Sequence, residues 1–486
     1  MEIKIEKSDW VFLLTCLLAG VFAEEAFFRA QVGISYLAFI FVFYSLFFWR
    51  FKGFRFSHQR LGYLVLSCIW LLSAGYFLND TRLFYGLNII VIPALVIFHL
   101  VLITSPKMTK WNNSYFILYV LSRILEALKF NFAFAGHGGR YVKKGLEPDK
   151  YLIWKKVLLG LVISIPVLFI VLQLLMAADS QFERIIGGFP QWLEVINAES
   201  FFRILVVLIY TCGFFGLLQV LFKKQIQVMR QENEKKSFAL DGVIAVTVLV
   251  LFNAVYVLFV IVQFKYFFSG TLQGDYTFAQ YARRGFFELL FVTMINLSIT
   301  VAVIALVSPS GKGAKKFIQS MLTVLVLTSG VILSSAFLRL LMYEDAYGFT
   351  FTRVLVHSFM IFLMLILSFT AVKIWLEKVS LFHFYFITSL IYYTAINIVN
   401  IDQIVVKQNM DRYESTGKID VQYLSHLSST GVLWLIDLYK KKPNIPELRN
   451  ELTHQKNWVR NGESHWQSYN LIRSRAAEQL KNLSIK

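Results

Sequence analysis

The sequence predicts an all-α fold: a polytopic transmembrane helix bundle of about eleven spans, with a small helical extramembrane domain at the C-terminus. Two observations carry this expectation. Of the 486 residues, 57% are hydrophobic and 16% charged, against roughly 45–50% and about 25% in soluble domains. That leaves too little polar surface to clothe a water-soluble globule of this length. Apolar stretches near bilayer length also recur along the chain up to Asn400, after which the composition turns polar and mixed in charge.

A span needs about 20 mostly apolar residues, because the hydrocarbon core is about 30 Å thick and a helix rises about 1.5 Å per residue. Such stretches lie at 10–23, 34–49, 61–78, 84–104, 154–176, 201–222, 238–264, 286–307, 317–340, 354–374 and 382–400. The first two are the shortest. Backbone facing lipid must satisfy its own N–H and C=O groups, so each stretch is read as a helix. The chain start also raises a cleavable signal peptide, with Val21 and Ala23 ahead of Glu24. Glu2, Glu6 and Asp9 beside Lys4 and Lys7 deny it a positive n-region, and a retained first helix is expected.

The formal net charge of +18 does not point to nucleic acid. Lys and Arg collect in short bursts between apolar stretches, as membrane-flanking charge does. One burst is Arg50, Lys52, Arg55 and Arg60; another runs from Lys129 to Lys156; others are Lys223 to Lys236 and Lys312 to Lys316. The alternate loop 177–200 instead carries Asp179, Glu183, Glu194 and Glu199 against Arg184. The expectation is a cytoplasmic N-terminus, basic loops inside and residues 401–486 outside.

Residues 115–130 differ from a span. Arg123, Glu126 and Lys129 share one helical face with Leu, Ile and Phe opposite, which reads as an amphipathic helix on the cytoplasmic surface. A further span there would bury those charges and reverse the topology. The organisation is thus a bundle over 1–400 and an extracytoplasmic helical domain over 401–486. The latter shows helical patterns near Val421–Tyr439 and Glu463–Asn482, separated by Pro443 and Pro446.

Motifs for soluble chemistry are missing: no H-E-x-x-H, G-x-S-x-G or C-x-x-C occurs. Cys16, Cys68 and Cys212 sit in apolar stretches as small hydrophobes, so neither a metal nor another cofactor is expected. Ser310-Gly311-Lys312-Gly313 lacks the spacing of a phosphate loop and reads as a turn. No catalytic residue is assigned.

Three stretches are richer in polar and aromatic residues than plain loops: 263–288, 339–353 and 397–424. The expected topology puts all three at the extracytoplasmic end. Within them, Arg283, Arg284, Glu288, Arg339, Tyr343, Tyr347, Arg353, Asn400 and Asp402 are the candidate ligand-binding residues. Two readings stay open. The charges clamp helix ends and snorkel at the interface, or the arginines gather as an anion site, since guanidinium forks match phosphate. The second predicts that Arg284, Arg339 and Arg353 border one outward-facing cavity, with Glu288, Glu344 and Asp345 as the available carboxylates.

The run Tyr281-Ala282-Arg283-Arg284-Gly285-Phe286-Phe287-Glu288 carries a Tyr-Ala-Arg-x-Gly-Phe motif. Together with Arg339, Tyr343, Tyr347-Gly348, Arg353, Asn400, Asp402, Asn409, Asp420 and Tyr423-Leu424, it resembles a family of bacterial multi-pass membrane proteins with a domain of unknown function. The likeness covers about residues 200–435. It implies a protein of the bacterial cytoplasmic (inner) membrane and supplies no activity.

Three functions compete. The first is a protein that binds or moves an anionic envelope component, lipid-linked in the form its aromatic neighbours suit, with the bilayer as its standing partner. The second is a polytopic transferase using a lipid-linked donor, for which Glu24-Glu25 would be the carboxylates. The loop that follows them is short for a donor sugar. The third is a sensor or assembly partner, with its protein partners open.

Overall fold

The computed structural model describes residues 6–113, 115–143, 198–223, 241–264, 285–307, 311–376, 379–445, 447–460 and 465–485, with isolated positions at 160, 164 and 171. Among the described residues there are sixteen α-helices and no strand. They are α1 (Lys7–Phe28), α2 (Ile34–Arg50), α3 (Gln59–Leu78), α4 (Arg82–Thr104), α5 (Tyr115–Lys143), α6 (Ala198–Lys223), α7 (Gly242–Val262) and α8 (Phe286–Leu306). There follow α9 (Lys312–Tyr347), α10 (Phe351–Trp375), α11 (Leu381–Ile398), α12 (Ile401–Thr416), α13 (Val421–Leu427), α14 (Ser429–Lys441), α15 (Leu448–Arg460) and α16 (Leu471–Asn482).

Nine described helices are long and apolar enough to cross a membrane: α1, α3, α4 and α6 to α11. The chain is a multi-pass membrane protein. Of the remaining expected spans, α2 is apolar but only 17 residues long, and 154–176 lies outside the described residues apart from three isolated positions.

The spans pack in two groups. In the first, α1 to α6 and α11 share a core built on Phe12, Phe47, Ile69, Leu72, Leu100 and Phe215. Its tightest seams rest on small residues, as membrane helices without a hydrophobic drive between them require. A Cβ at Gly20 of α1 would stand 2.5 Å from Thr211 Oγ1 and 2.9 Å from the Val207 carbonyl of α6. A Cβ at Gly216 of α6 would likewise stand 2.8 Å from the Ala127 carbonyl of α5. The second group is α7 to α10, centred on Leu249, Leu325, Ala336, Leu340 and Met360.

Helix α5 departs from the expectation in two ways. It runs on to Lys143 instead of stopping near 130, and Arg123 is buried, bonded to Glu126 at 2.8 Å and stacked on Tyr119. The exposed face carries Leu121, Leu125, Leu128 and Phe132. The position of α5 follows from its contacts. Phe116 meets Phe98 near the end of α4, whereas Phe134 meets Trp10 near the start of α1. The helix therefore crosses one end of the bundle rather than threading it. At that same end Asp9, fully buried, binds Arg50 at 3.0 Å, Gln219 at 2.9 Å and Lys223, tying α1, α2 and α6 together.

The other end is capped by α12 to α16, none of which is long and apolar enough to cross a membrane. They share a core of Val406, Leu424, Leu435, Ile436, Leu448 and Leu480. The expected single pattern over 421–439 is two helices, because Ser428 is extended (φ −174°) and its hydroxyl accepts from Thr430 N to start α14. A smaller cluster of Phe84, Ile396, Ile401 and Val405 joins this cap to the spans.

Candidate functional site: a cavity under the C-terminal helices

The cap is fastened by side chains that satisfy the carbonyls left over at helix ends. Helix α3 stops at Asn79, whose Nδ2 donates to the carbonyls of Asn397 (2.7 Å) and Ile398 (3.1 Å) at the end of α11. Asn470, before α16, performs the same service for α3, donating to the carbonyls of Tyr76 and Asn79 at 2.9 Å each. Asp80 accepts from the Ser429 hydroxyl at 2.6 Å and pairs with Arg473, which also donates to Gln31 at 2.6 Å. The 3-10 turn Trp466–Ser468 presses on the α1–α2 turn, where Ile34 N donates to the Tyr469 carbonyl at 3.0 Å. At Gly33 a Cβ would meet that carbonyl at 2.5 Å, so the approach requires glycine.

These contacts enclose a cavity of about 500 Å³ between the ends of α3, α4 and α11 and the cap. Its floor is polar: Asn88 donates to Asn397 Oδ1 at 2.8 Å, and Tyr393 donates to Asn88 Oδ1 at 2.7 Å. Tyr76, Phe84 and Tyr85 give the wall an apolar, aromatic character. At the mouth stand Arg82, His426, His454 and Trp458, all exposed, Trp458 by 68%. Charge within the site is uneven. Asp80 and Arg473 neutralise one another, whereas Arg82 has no ion pair or hydrogen bond among the described residues.

Behind the wall Asp402 is 2% exposed and accepts from Thr81 Oγ1 at 3.2 Å. Burial pushes its carboxyl up to about 6; the nearby Asp80 charge adds to the rise, and bonds from Ser428 and Thr81 oppose it. Of the residues proposed from sequence, Asp402 comes nearest the cavity, through Thr81. Asn400 caps α12 and donates to Thr430 Oγ1 at 3.2 Å.

The others gather elsewhere at the capped end. Arg283 and Arg284 lie outside the described residues. Arg339 is buried and donates to Gln263 Oε1 at 3.4 Å, with Nη1 at 3.1 Å from where a Cβ on Gly285 would be. Tyr343 packs at a tilt against Phe286 and edge-on to Tyr347, and Arg353 lies over the Tyr343 ring at 4.0 Å while donating to the Gly348 carbonyl. Arg339, Tyr343, Tyr347 and Arg353 thus cluster around the α9–α10 turn and the start of α8, and none of them lines the cavity. Glu288 is exposed in the first turn of α8.

Glu24 and Glu25 are engaged in holding helices. Glu24 is buried between Arg29 (3.4 Å) and Arg203 of α6 (3.6 Å), and Glu25 meets Arg29 at 3.1 Å and Gln467 at 2.7 Å. Among the described residues no cluster of three or more His, Cys, Asp or Glu is disposed to hold a metal.

Sequence reasoning missed Asp80, Arg82, Trp458 and Arg473. Asn79-Asp80-Thr81 looks like any polar turn between two spans, and its partners lie hundreds of residues away. The available signal was the density of hydrogen-bonding residues in so short a connection.

No curated protein and no solved structure matches the chain. A family profile does, over residues 66–438, starting well before the 200–435 to which the sequence likeness extended. The matched stretch supplies the cavity's floor and its wall from Gly75 to Val432, whereas His454, Trp458 and Arg473 lie beyond it. The chain belongs to the family described as domain of unknown function DUF4153.

Proposed function

We propose that this is a protein of the bacterial cytoplasmic (inner) membrane that binds, and moves or presents, an anionic amphiphile of the envelope in the cavity at its extracytoplasmic end. The observation that carries the reading is the cavity itself, which lies where the spans end and polar helices begin. An amphiphile suits such a place: its charged group meets Arg82 at the mouth, and its apolar part meets Tyr76, Phe84 and Tyr85. Trp458 and Tyr85 have the amphipathic rings favoured at headgroup depth. The charge pattern supports the orientation. Lys52, Arg55, Lys107 and Lys110 flank the end opposite the cap, as cytoplasmic loops do. On this orientation residues 401–486 form an extracytoplasmic domain.

The test is lipid retention by the purified full-length protein, measured by native mass spectrometry with phosphatidylglycerol against phosphatidylcholine. A charge-assisted guanidinium–phosphate contact is worth roughly 1.5–3 kcal/mol. Arg82→Ala is therefore expected to weaken phosphatidylglycerol retention by about tenfold or more and leave phosphatidylcholine retention unchanged. Equal retention of both lipids by the parent protein, or no effect of Arg82→Ala, contradicts the proposal.

A further inference from the structure

A carboxylate is costly to bury without partners, and α9 buries one in its last turn. Glu344 is 1% exposed, and its Oε2 lies 3.0 Å from Nδ1 of His357 on α10. Phe337 covers the imidazole, with ring centroids 4.4 Å apart. Among the described residues neither Glu344 Oε1 nor His357 Nε2 has a hydrogen-bond partner. Both groups are thus half-satisfied. At 3.0 Å the lone pairs of a carboxylate and an imidazole repel unless a proton lies between them.

We propose that Glu344 and His357 form a proton-binding site at the junction of the spans with the C-terminal helices. In the empty state the pair carries one buried negative charge. Neutral His357 donates its Nδ1–H to Glu344 Oε2, and a proton from hydronium adds to the unpartnered Nε2, leaving water. The loaded pair has no net charge, which suits its buried position. Ionisable residues held inside a membrane bundle commonly serve proton or ion movement.

Among the described residues, the charges at this end of the bundle come from four elements. Arg339 and the exposed Asp345 are on α9, Arg353 is one turn before His357 on α10, Glu288 is at the start of α8, and Arg412 reaches over from α12. Helices α7 and α11 bring no charge here; their polar groups are Gln263 and Tyr392, the latter bonded to Ser358 at 2.9 Å. The site also adjoins a joint. Gly348 N donates to the Glu344 carbonyl at 2.7 Å, Arg412 donates to the Ala346 carbonyl, and Asn409 bonds both N and O of Phe349. A change of charge on Glu344 therefore acts within one turn of the grip between α12 and the α9–α10 connection. This inference does not depend on the cavity's ligand.

Infrared difference spectra of the full-length protein in lipid nanodiscs, with labelled histidine, test it between about pH 8 and about pH 5, where histidine titrates. The expected result is a coupled change in imidazole and carboxylate bands. Glu344→Gln removes the carboxylate band of the coupled signal. His357→Gln abolishes the coupled signal, and this arm decides the matter alone should Glu344→Gln fail to fold. Spectra of Glu344→Gln that match the parent, or a coupled change undiminished in His357→Gln once the bands of Asp402 and the other seven histidines are subtracted, overturn the proposal.

Discussion

Asp402 shows how one side chain ties pH to the union of cap and spans. The ordinary carboxyl value is near 3.8, and burial raises it to about 6 in the folded protein. Below about pH 4 the group is protonated whether folded or not. As pH rises through 4 to 6 the folded state holds a proton that the unfolded state has released, so stability falls across that window. The loss amounts to about 3 kcal/mol, on the order of two pKa units. Hydrogen exchange in α12 is thus expected to be slower near pH 4 than near pH 7 after correction for the intrinsic rate. Asp402→Asn should flatten this dependence. An Asn variant with the parent's slope would show that another group is responsible.

At the scale of the helices, small residues decide which seams close. Gly20 of α1 faces Thr211 and the Val207 carbonyl of α6 across a gap with no room for a side chain, whereas Gly75 of α3 has nothing within 4 Å. Gly20→Leu is expected to prevent α1 from seating, seen as loss of folded protein in the membrane. Gly75→Ala should be tolerated and gain slightly from its better helix propensity. Normal abundance and an unchanged thermal midpoint for Gly20→Leu would contradict the seam. This level of structure was partly legible in the sequence. Hydropathy found the nine described spans because lipid imposes length and composition on each helix separately. It also found Arg339, Tyr343, Tyr347 and Arg353 as a group, since they flank one turn. It did not find the burial of Arg123, because a charge read as solvent-facing by periodicity is satisfied within α5 by Glu126 and the Tyr119 ring. The cavity was illegible for a related reason. Asp80 and Arg473 carry no pattern individually and acquire meaning only when α16 folds back 393 positions along the chain.

For the whole molecule, the arrangement is a membrane bundle with ionic and aromatic ties at one end and a helical cap at the other. Asp9, Arg50, Gln219 and Lys223 close the uncapped end, with Arg50 stacked on Phe12 and Phe222. The capped end carries the cavity, the arginine corner and the Glu344–His357 pair. Its orientation decides what ligand it meets, and the proposed binding of an envelope amphiphile requires this end to face away from the cytoplasm. The direct measurement is labelling of intact spheroplasts by a membrane-impermeant maleimide, in a protein with Cys16, Cys68 and Cys212 replaced. Trp458→Cys, at the cavity mouth, is compared with Lys312→Cys, at the opposite end of α9. Trp458→Cys is expected to label in intact spheroplasts, and Lys312→Cys only after lysis. Labelling of Lys312→Cys from outside, with Trp458→Cys protected until lysis, would contradict that orientation.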